Sequence, residues 1–228
     1  MNHIKTFFIS IFLLAFSAAL AERHALLIGI DEYGDRAGVS RLAGAVNDAE
    51  GLKKALVEAA DFKPENVEVL TAAKADKIGI IKALDRLKDR TRPGDFVFFS
   101  FAGHGFQPGS RAFLVPHDAV AGSDAVLQNS SLEAAEVARL LGEVDADVLV
   151  AAFDMCRNDP RVQAGRDTQA QNSMSFAMER DLRIVKTTET KGPQRVVRMF
   201  ASSQGQRSWE NPATKRGYFS WFLEQGLR

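Results

Sequence analysis

Cysteine is almost absent from this chain: its 228 residues include one, Cys156. A single cysteine excludes an internal disulfide. In an exported protein it implies either a partner thiol or a free, reactive thiol. The alternative is a buried cysteine that packs as a small apolar side chain. The count alone leaves both interpretations open, so the residues around Cys156 have to decide between them.

Net charge is also absent, because 29 basic residues balance 29 acidic ones. Such a balance provides no electrostatic footprint for nucleic acid or for anionic lipid, and we expect neither as a partner once the leader is removed. After the first residues, no hydrophobic run is long enough to span a bilayer. A content of 46% hydrophobic and 25% charged residues is typical of a globular chain, and the length predicts one main domain.

The first 21 residues have the pattern of a secretory signal peptide. MNHIK carries a lysine, TFFISIFLLAF is a nearly unbroken apolar run, and Ala19-Leu20-Ala21 offers small residues at a cleavage site. The apolar core is about ten residues long, too short for a helix that crosses a bilayer of roughly 30 Å. An uncleaved N-terminal anchor is the alternative. The pattern predicts cleavage after residue 21, a domain over residues 22–228, and export to the periplasm or the cell exterior.

Apolar runs typical of buried strands alternate with amphipathic helical patterns along the rest of the chain. The predicted strands cover residues 24–30, 67–71, 96–101, 147–153 and 196–202, the predicted helices cover 45–60, 74–90, 131–141 and 218–227, and residues 111–116 form a hairpin or an extended segment. This order predicts an α/β fold with a doubly wound, mostly parallel sheet and helices on both faces. In such sheets the chemistry lies beyond the carboxyl ends of the strands.

The periodic pattern stops over residues 157–195, which are polar and rich in Gln, Thr and basic residues. A loop of this length inside a compact domain is unusual and is often functional. The alternative is an ordinary solvated loop.

Two predicted strand ends carry polar residues. Ala102-Gly103-His104-Gly105 follows one strand, and Asp154-Met155-Cys156-Arg157 follows another. If these strands are neighbours, about 5 Å apart, the imidazole of His104 can accept the thiol proton of Cys156 or stabilise the thiolate. A Gly-His-Gly pattern alone is weak, and an isolated histidine is more often structural. The two motifs together favour a Cys-His site.

These motifs resemble those of caspase-like cysteine peptidases, in the form found among bacterial metacaspase-related proteins and orthocaspases. The segments LLIGIDEYGD, LAGAVNDAEGL, RAFLVPHDA, FASSQGQRSWENP and GYFSWFLEQGL are also similar to that family, so the resemblance runs from about residue 23 to the end of the sequence. It implies a three-layer caspase-like sandwich and an endopeptidase that acts on peptides or proteins.

The resemblance also implies a role for each motif residue. Cys156 is the nucleophile, His104 is the general acid and base, and the backbone N–H groups of Gly105 and Cys156 form the oxyanion hole. No third member is evident, so the catalytic unit is a dyad. Asp48 and Asp154 form the pocket that selects Arg or Lys before the cleaved bond, since paired carboxylates favour a cation. Alternatively, Asp48 stabilises its own helix and Asp154 makes ordinary loop hydrogen bonds.

Several features depart from the family or stay open. Ala102 and Ala45 stand where many members have serine and cysteine. The resemblance implies self-processing within residues 157–195. No cofactor is expected. Calcium binding stays open without support, because scattered acidic residues such as Asp118 and Asp124 suggest no oxygen cage. Two other functions compete with the peptidase: a catalytically weak module that binds peptides or a partner, and a hydrolase of small amides. Oligomeric state is not predicted.

Overall fold

The computed structural model describes residues 21–34, 38–156, 180–185, 191–201 and 208–228. Of Cys156 it describes only the backbone. Nearly all of the predicted signal peptide and most of the predicted processing loop lie outside these residues. The strands are β1 (Arg23–Gly29), β2 (Val67–Thr71), β3 (Phe96–Phe106), β4 (Phe113–Leu114), β5 (Leu132–Glu133), β6 (Val148–Cys156), β7 (Arg195–Phe200), β8 (Glu210–Asn211) and β9 (Arg216–Gly217). The helices are α1 (Ala45–Ala59), α2 (Lys77–Arg90), α3 (Asp124–Ser130), α4 (Ala134–Leu141) and α5 (Tyr218–Leu227).

A parallel sheet forms the centre of the described structure, in the spatial order β2-β1-β3-β6-β7. The last two residues of β3 pair with β4, and β4 pairs with β5, both antiparallel. A separate antiparallel hairpin joins β8 and β9. The mostly parallel α/β sheet predicted from the sequence is confirmed.

Helices cover both faces of this sheet, because successive strand residues point to opposite sides. On one face, Leu52 of α1 belongs to a buried cluster with Leu27 and Phe98, and α5 packs against that cluster. On the other face, Leu84 of α2 shares a larger cluster with Phe99, and α4 contributes to it. Neighbouring phenylalanines of β3 therefore lie in different cores, which explains why the sequence of this strand is apolar throughout.

The two central strands are longer than predicted. β3 continues to Phe106 instead of ending at residue 101, and β6 continues through Cys156. The prediction that the histidine and cysteine motifs follow their strands was therefore wrong: residues 102–105 belong to β3 and residues 154–156 belong to β6. The reason is pairing, because Ala102 to His104 lie opposite Asp154 to Cys156. Such cross-strand pairing outweighs the weak strand preference of glycine.

The predicted helix over residues 131–141 was wrong at its beginning. The structure has a separate helix α3, whose cap is Ser123, followed by the short strand β5 and then α4. The Ser130 hydroxyl, at the end of α3, donates to the Val126 carbonyl within that helix. Leu132–Glu133 is extended because it pairs with β4, which is the strand inside the segment predicted as a hairpin or extended.

Helix α2 also begins later than predicted. The Asp76 side chain accepts the Gly79 N–H at 2.5 Å and so caps a helix that starts at Lys77, while Ala72–Ala75 forms a 3-10 turn. None of the helices in the described ranges is long and apolar enough to cross a bilayer.

Candidate active site

His104 and Cys156 lie opposite each other on neighbouring strands. In the parallel register of β3 and β6, His104 pairs with Cys156, two positions after Ala102 pairs with Asp154. Neighbouring strands are about 4.8 Å apart. The side chain of Cys156 is outside the described part of the structure, but the backbone brings the two predicted catalytic residues to the same level of the sheet.

The His104 ring is held in one tautomer. The side chain is buried, with 5% of the residue exposed, and its Nε2 lies 2.8 Å from the Ser40 carbonyl oxygen and 3.2 Å from the Ser40 hydroxyl. Because a carbonyl can only accept, Nε2 carries the hydrogen and donates it. In the neutral ring Nδ1 is then an unprotonated acceptor. This atom is buried and has no hydrogen-bond partner among the described residues.

The surroundings of His104 favour the neutral ring. Burial lowers the pKa of His104 below its ordinary value of 6.5, and the Ser40 carbonyl opposes this shift only in part. The Tyr33 hydroxyl accepts the backbone N–H of His104 at 2.9 Å, and the two rings lie 5.2 Å apart. Contacts with Tyr33 and Ser40 therefore support both the backbone and the neutral ring of His104. Gly105, the next residue, pairs with Leu114 of β4.

Asp48 and Asp154 come together at the same end of the sheet. Asp48 is in the first turn of α1, Asp154 is on β6, and both are buried. They converge on Gly217: a Cβ atom placed there would lie 2.5 Å from Oδ2 of Asp154 and 2.8 Å from Oδ2 of Asp48. The structure thus places both predicted pocket residues beside one glycine.

The Asp48 carboxylate is bound by a cation of its own chain. Oδ1 accepts from Nε of Arg216 at 2.6 Å, and Oδ2 accepts the Gly217 N–H at 2.9 Å. Burial raises the pKa of Asp48 to about 7, against the lowering effect of these two hydrogen bonds, and the charge of Asp154 adds to the rise. Asp48 therefore has both oxygens engaged.

Asp154 has neutral partners instead. The Ser208 hydroxyl donates to Oδ1 at 2.5 Å, the Ser220 hydroxyl donates to Oδ2 at 2.7 Å, and the Ser220 N–H lies 3.3 Å from Oδ2. Within the described ranges, no Lys, Arg or His side chain lies at ion-pair distance from Asp154. No group of three or more His, Cys, Asp or Glu side chains in those ranges could hold a metal ion.

The sequence analysis missed five residues of this site, which are Tyr33, Ser40, Ser208, Arg216 and Ser220. Tyr33 lies in the segment LLIGIDEYGD that carries the family resemblance, and Ser208 lies in FASSQGQRSWENP. Ser40 contributes its backbone carbonyl, which no side-chain pattern reveals. Arg216 acts on Asp48 across 168 residues of sequence, so its role follows only from the fold.

The parallel sheet that brings His104 and Cys156 together defines an α/β protein with a candidate Cys-His site, and comparison with known proteins gives its family. Residues 22–228 match the family described as the caspase domain. The chain belongs to this family of cysteine peptidases.

Individual relatives match a smaller part of the chain than the family as a whole does. Metacaspase-1B of Neurospora crassa is 37% identical over 92 residues, and Metacaspase-1 of Coccidioides immitis is 32% identical over 98 residues. These matches cover 37% and 40% of the chain, and each covers 21% of the relative. The crystal structure of protein GSU0716 from Geobacter sulfurreducens superposes with a TM-score of 0.63, covering 90% of this chain and 81% of that one. At 18% identity, this likeness concerns the fold alone.

Proposed function

We propose that the chain is a cysteine endopeptidase that uses a Cys156–His104 dyad and cleaves after Arg or Lys. The observation that carries the proposal is the pairing of His104 with Cys156 on adjacent strands, together with a buried Nδ1 that has no hydrogen-bond partner in the described structure. Membership of the caspase-domain family supports the reaction class.

The proposed mechanism starts with the neutral ring. Nδ1 of His104 takes the thiol proton of Cys156, and the thiolate attacks the carbonyl carbon of the scissile peptide bond. The backbone N–H groups of Gly105 and Cys156 stabilise the resulting oxyanion. The imidazolium then protonates the leaving amine, a thioester remains on Cys156, and water activated by the same ring hydrolyses it. The Ser40 carbonyl keeps the Nε2 hydrogen in place throughout.

The proposed specificity comes from the pocket in which Asp48 and Asp154 lie. Negative charge in this buried pocket favours a guanidinium or an ammonium group and disfavours an acidic side chain. We further propose that the enzyme cuts itself within residues 157–195, where basic residues recur, and that it acts after export and removal of residues 1–21. Substrates are peptides or proteins; no metal or cofactor takes part in the proposed steps.

A reporter panel tests this function. Peptides with Arg, Lys or Asp before a fluorogenic amide should be turned over in the order Arg or Lys far above Asp, with and without added calcium. Cys156→Ala and His104→Gln should each lower kcat/KM by at least about 1,000-fold, because the dyad acts as a unit. His117→Gln, which changes another histidine, should leave turnover within about twofold.

Three outcomes would redirect the proposal. No turnover by a folded wild type that still binds the peptides would identify a peptide-binding module. Equal turnover of single amino-acid amides and longer peptides would identify a small-amide hydrolase. Equal fragmentation of the wild type and Cys156→Ala during incubation would refute self-processing, since the variant lacks the nucleophile.

A further inference from the structure

Arg216 lies between the predicted pocket and a second acidic residue, and it is almost enclosed. Arg216 belongs to β9, and 15% of its side chain is exposed. Nε donates to Asp48 and Nη2 donates to Glu224 of α5 at 2.7 Å. A Cβ atom on Gly51 of α1 would collide with the guanidinium and with Glu224, so the helix has no side chain where the guanidinium lies. The guanidinium therefore lies in a space between α1, β9 and α5.

In this position Arg216 binds the Asp48 carboxylate, so that groups of the protein itself occupy both carboxylate oxygens. The residue exposure of Asp48 is 2%, its first oxygen binds Arg216, and its second oxygen binds the Gly217 N–H. The opposite charge lies 2.6 Å away in low-dielectric surroundings, where removal of one partner is strongly unfavourable. A substrate cation would have to displace a guanidinium that is covalently part of the chain.

Asp154 differs in charge balance although it is nearly as buried, with 7% exposure. Its partners are hydroxyl groups of Ser208 and Ser220 and one backbone N–H, all neutral. These donors satisfy hydrogen bonds but leave the negative charge uncompensated by any side chain of the described ranges. A carboxylate without a cationic partner attracts a cation much more strongly than a paired one.

We infer that Arg216 is a positioning residue that assigns different roles to the two carboxylates: it neutralises Asp48, so that Asp154 alone recognises the cationic side chain of the substrate. The inference rests on the proposed cleavage after basic residues and deepens it. Asp48 then supports the hairpin β8–β9 and the base of the pocket, while the preference for a cation depends on Asp154.

The test compares Arg with citrulline, its neutral isostere, because the two differ in charge and hardly in shape. Binding of two otherwise identical peptide amides is measured by calorimetry in the Cys156→Ala background, which requires no turnover. Asp154→Asn should lower the Arg-to-citrulline affinity ratio by at least about 10-fold, since a charge-assisted contact is lost. Asp48→Asn should change the ratio by less than about threefold.

Variants of Arg216 separate a charge role from a merely structural one. Arg216→Lys keeps a cation beside Asp48 and should keep the wild-type ratio. Arg216→Gln leaves Asp48 without its cation. Adding Asp48→Asn to Arg216→Gln should then lower the Arg-to-citrulline affinity ratio by about fivefold or more, measured at pH 8.5. The same Asp48→Asn change has little effect when Arg216 is present. Circular dichroism and thermal unfolding of each variant check that it is folded.

The outcomes for the two proposals are distinct. If Asp48→Asn removes the preference for Arg and Asp154→Asn keeps it, or if Arg and citrulline peptides bind equally to the parent, the assignment of roles is overturned. If the Arg preference follows Asp154 but protein with an intact Cys156 turns over no peptide, the assignment holds and the peptidase function fails.

Discussion

At the scale of single residues, the His104 imidazole is controlled by atoms that lie far away in the sequence. The Ser40 carbonyl fixes which nitrogen carries the hydrogen, and the Tyr33 hydroxyl holds the backbone N–H of His104. Neither contact involves a charged partner, so the ring stays neutral while its orientation is restricted. This arrangement suits a general base, which needs an available lone pair at a defined position.

Replacement of Tyr33 tests this support. Tyr33→Phe keeps the aromatic ring beside His104 but leaves a buried N–H without its acceptor, and we expect a loss of about 1–3 kcal/mol in the free energy of unfolding. Reporter turnover should fall as well, because the ring loses part of its support. Urea unfolding followed by circular dichroism measures the stability.

Tyr218→Phe is the matched control. That tyrosine, the other of the two in the chain, is 46% exposed, and its replacement should change the free energy of unfolding by no more than about 0.5 kcal/mol. Equal stabilities of the two variants would contradict the role of Tyr33.

The sequence was sufficient to point to His104 and Cys156, because each ends a strongly apolar run and strand ends collect chemistry in parallel sheets. It was not sufficient for Ser40, whose carbonyl is a group that every residue has. Nor could it indicate Arg216, since an arginine in a polar segment normally lies in solvent, and the partner Asp48 is brought near only by the fold. The sequence therefore indicated the two residues of the proposed dyad, but it could not indicate the groups that contact His104 and Asp48.

At the scale of elements, the hairpin β8–β9 approaches α1 unusually closely. A Cβ atom at Gly44, just before α1, would lie 3.0 Å from the Arg216 backbone, and one at Gly217 would meet the carboxylates of Asp48 and Asp154. The two glycines thus let the hairpin contact the first turn of the helix. This contact brings the Gly217 N–H to Asp48 and carries Arg216 into the space between α1 and α5.

Gly217→Ala tests that contact. The φ angle of Gly217 is −65°, which alanine adopts readily, so any effect comes from lack of space and not from backbone strain. We expect a loss of about 1–3 kcal/mol in stability, as in other overpacked sites, and a weaker preference for Arg over citrulline. Gly226→Ala, at the end of α5, is the matched control because nothing lies within 4 Å of its added Cβ; it should be neutral or stabilise by up to about 1 kcal/mol. A Gly217→Ala protein as stable and selective as the wild type would show that the hairpin does not need this close approach.

The length of an element decided whether the sequence could predict it. The buried strands β1, β3 and β6 and the helices α1, α2 and α5 have enough residues for their apolar period to be recognised. The strands β4, β5, β8 and β9 have two residues each, which is too few for any period. The sequence predicted one helix over residues 131–141, because the helical pattern continues through β5. Pairing of β5 with β4 makes these two residues extended instead.

At the scale of the whole molecule, buried histidines lie at both ends of the parallel sheet. His104 is at the carboxyl end, in the candidate site, and His24 is at the amino end, near the start of β1. His24 is 4% exposed and its Nδ1 is buried without a partner among the described residues. Burial lowers the pKa of His24 although Asp95 lies 3.5 Å and Glu22 3.8 Å from its Nε2 and both oppose the shift.

The two histidines predict an acid-sensitive stability. For each, the pKa in the folded protein is below the ordinary value of 6.5 that applies when the chain is unfolded, so the unfolded chain binds more protons below that pH. Their contribution to stability is therefore complete above about pH 6.5 and is lost as the pH falls through that value toward the folded pKa. Asp48 acts in the opposite sense, because its pKa is raised to about 7 and its contribution is lost as the pH rises toward that value.

Because these effects overlap, the quantity to measure is the difference between variants and wild type. Urea unfolding of the wild type, His24→Gln, His104→Gln and the double variant should be compared between pH 5 and pH 8. We expect each single variant to lose less stability than the wild type between pH 6.5 and pH 5, and the double variant to lose least, whatever its stability at pH 8. Above pH 7 the four curves should run parallel, because the histidines are neutral in both states there. Four curves that stay parallel down to pH 5 would mean that neither buried ring resists protonation, and the neutral His104 on which the proposed proton transfer depends would have to be given up.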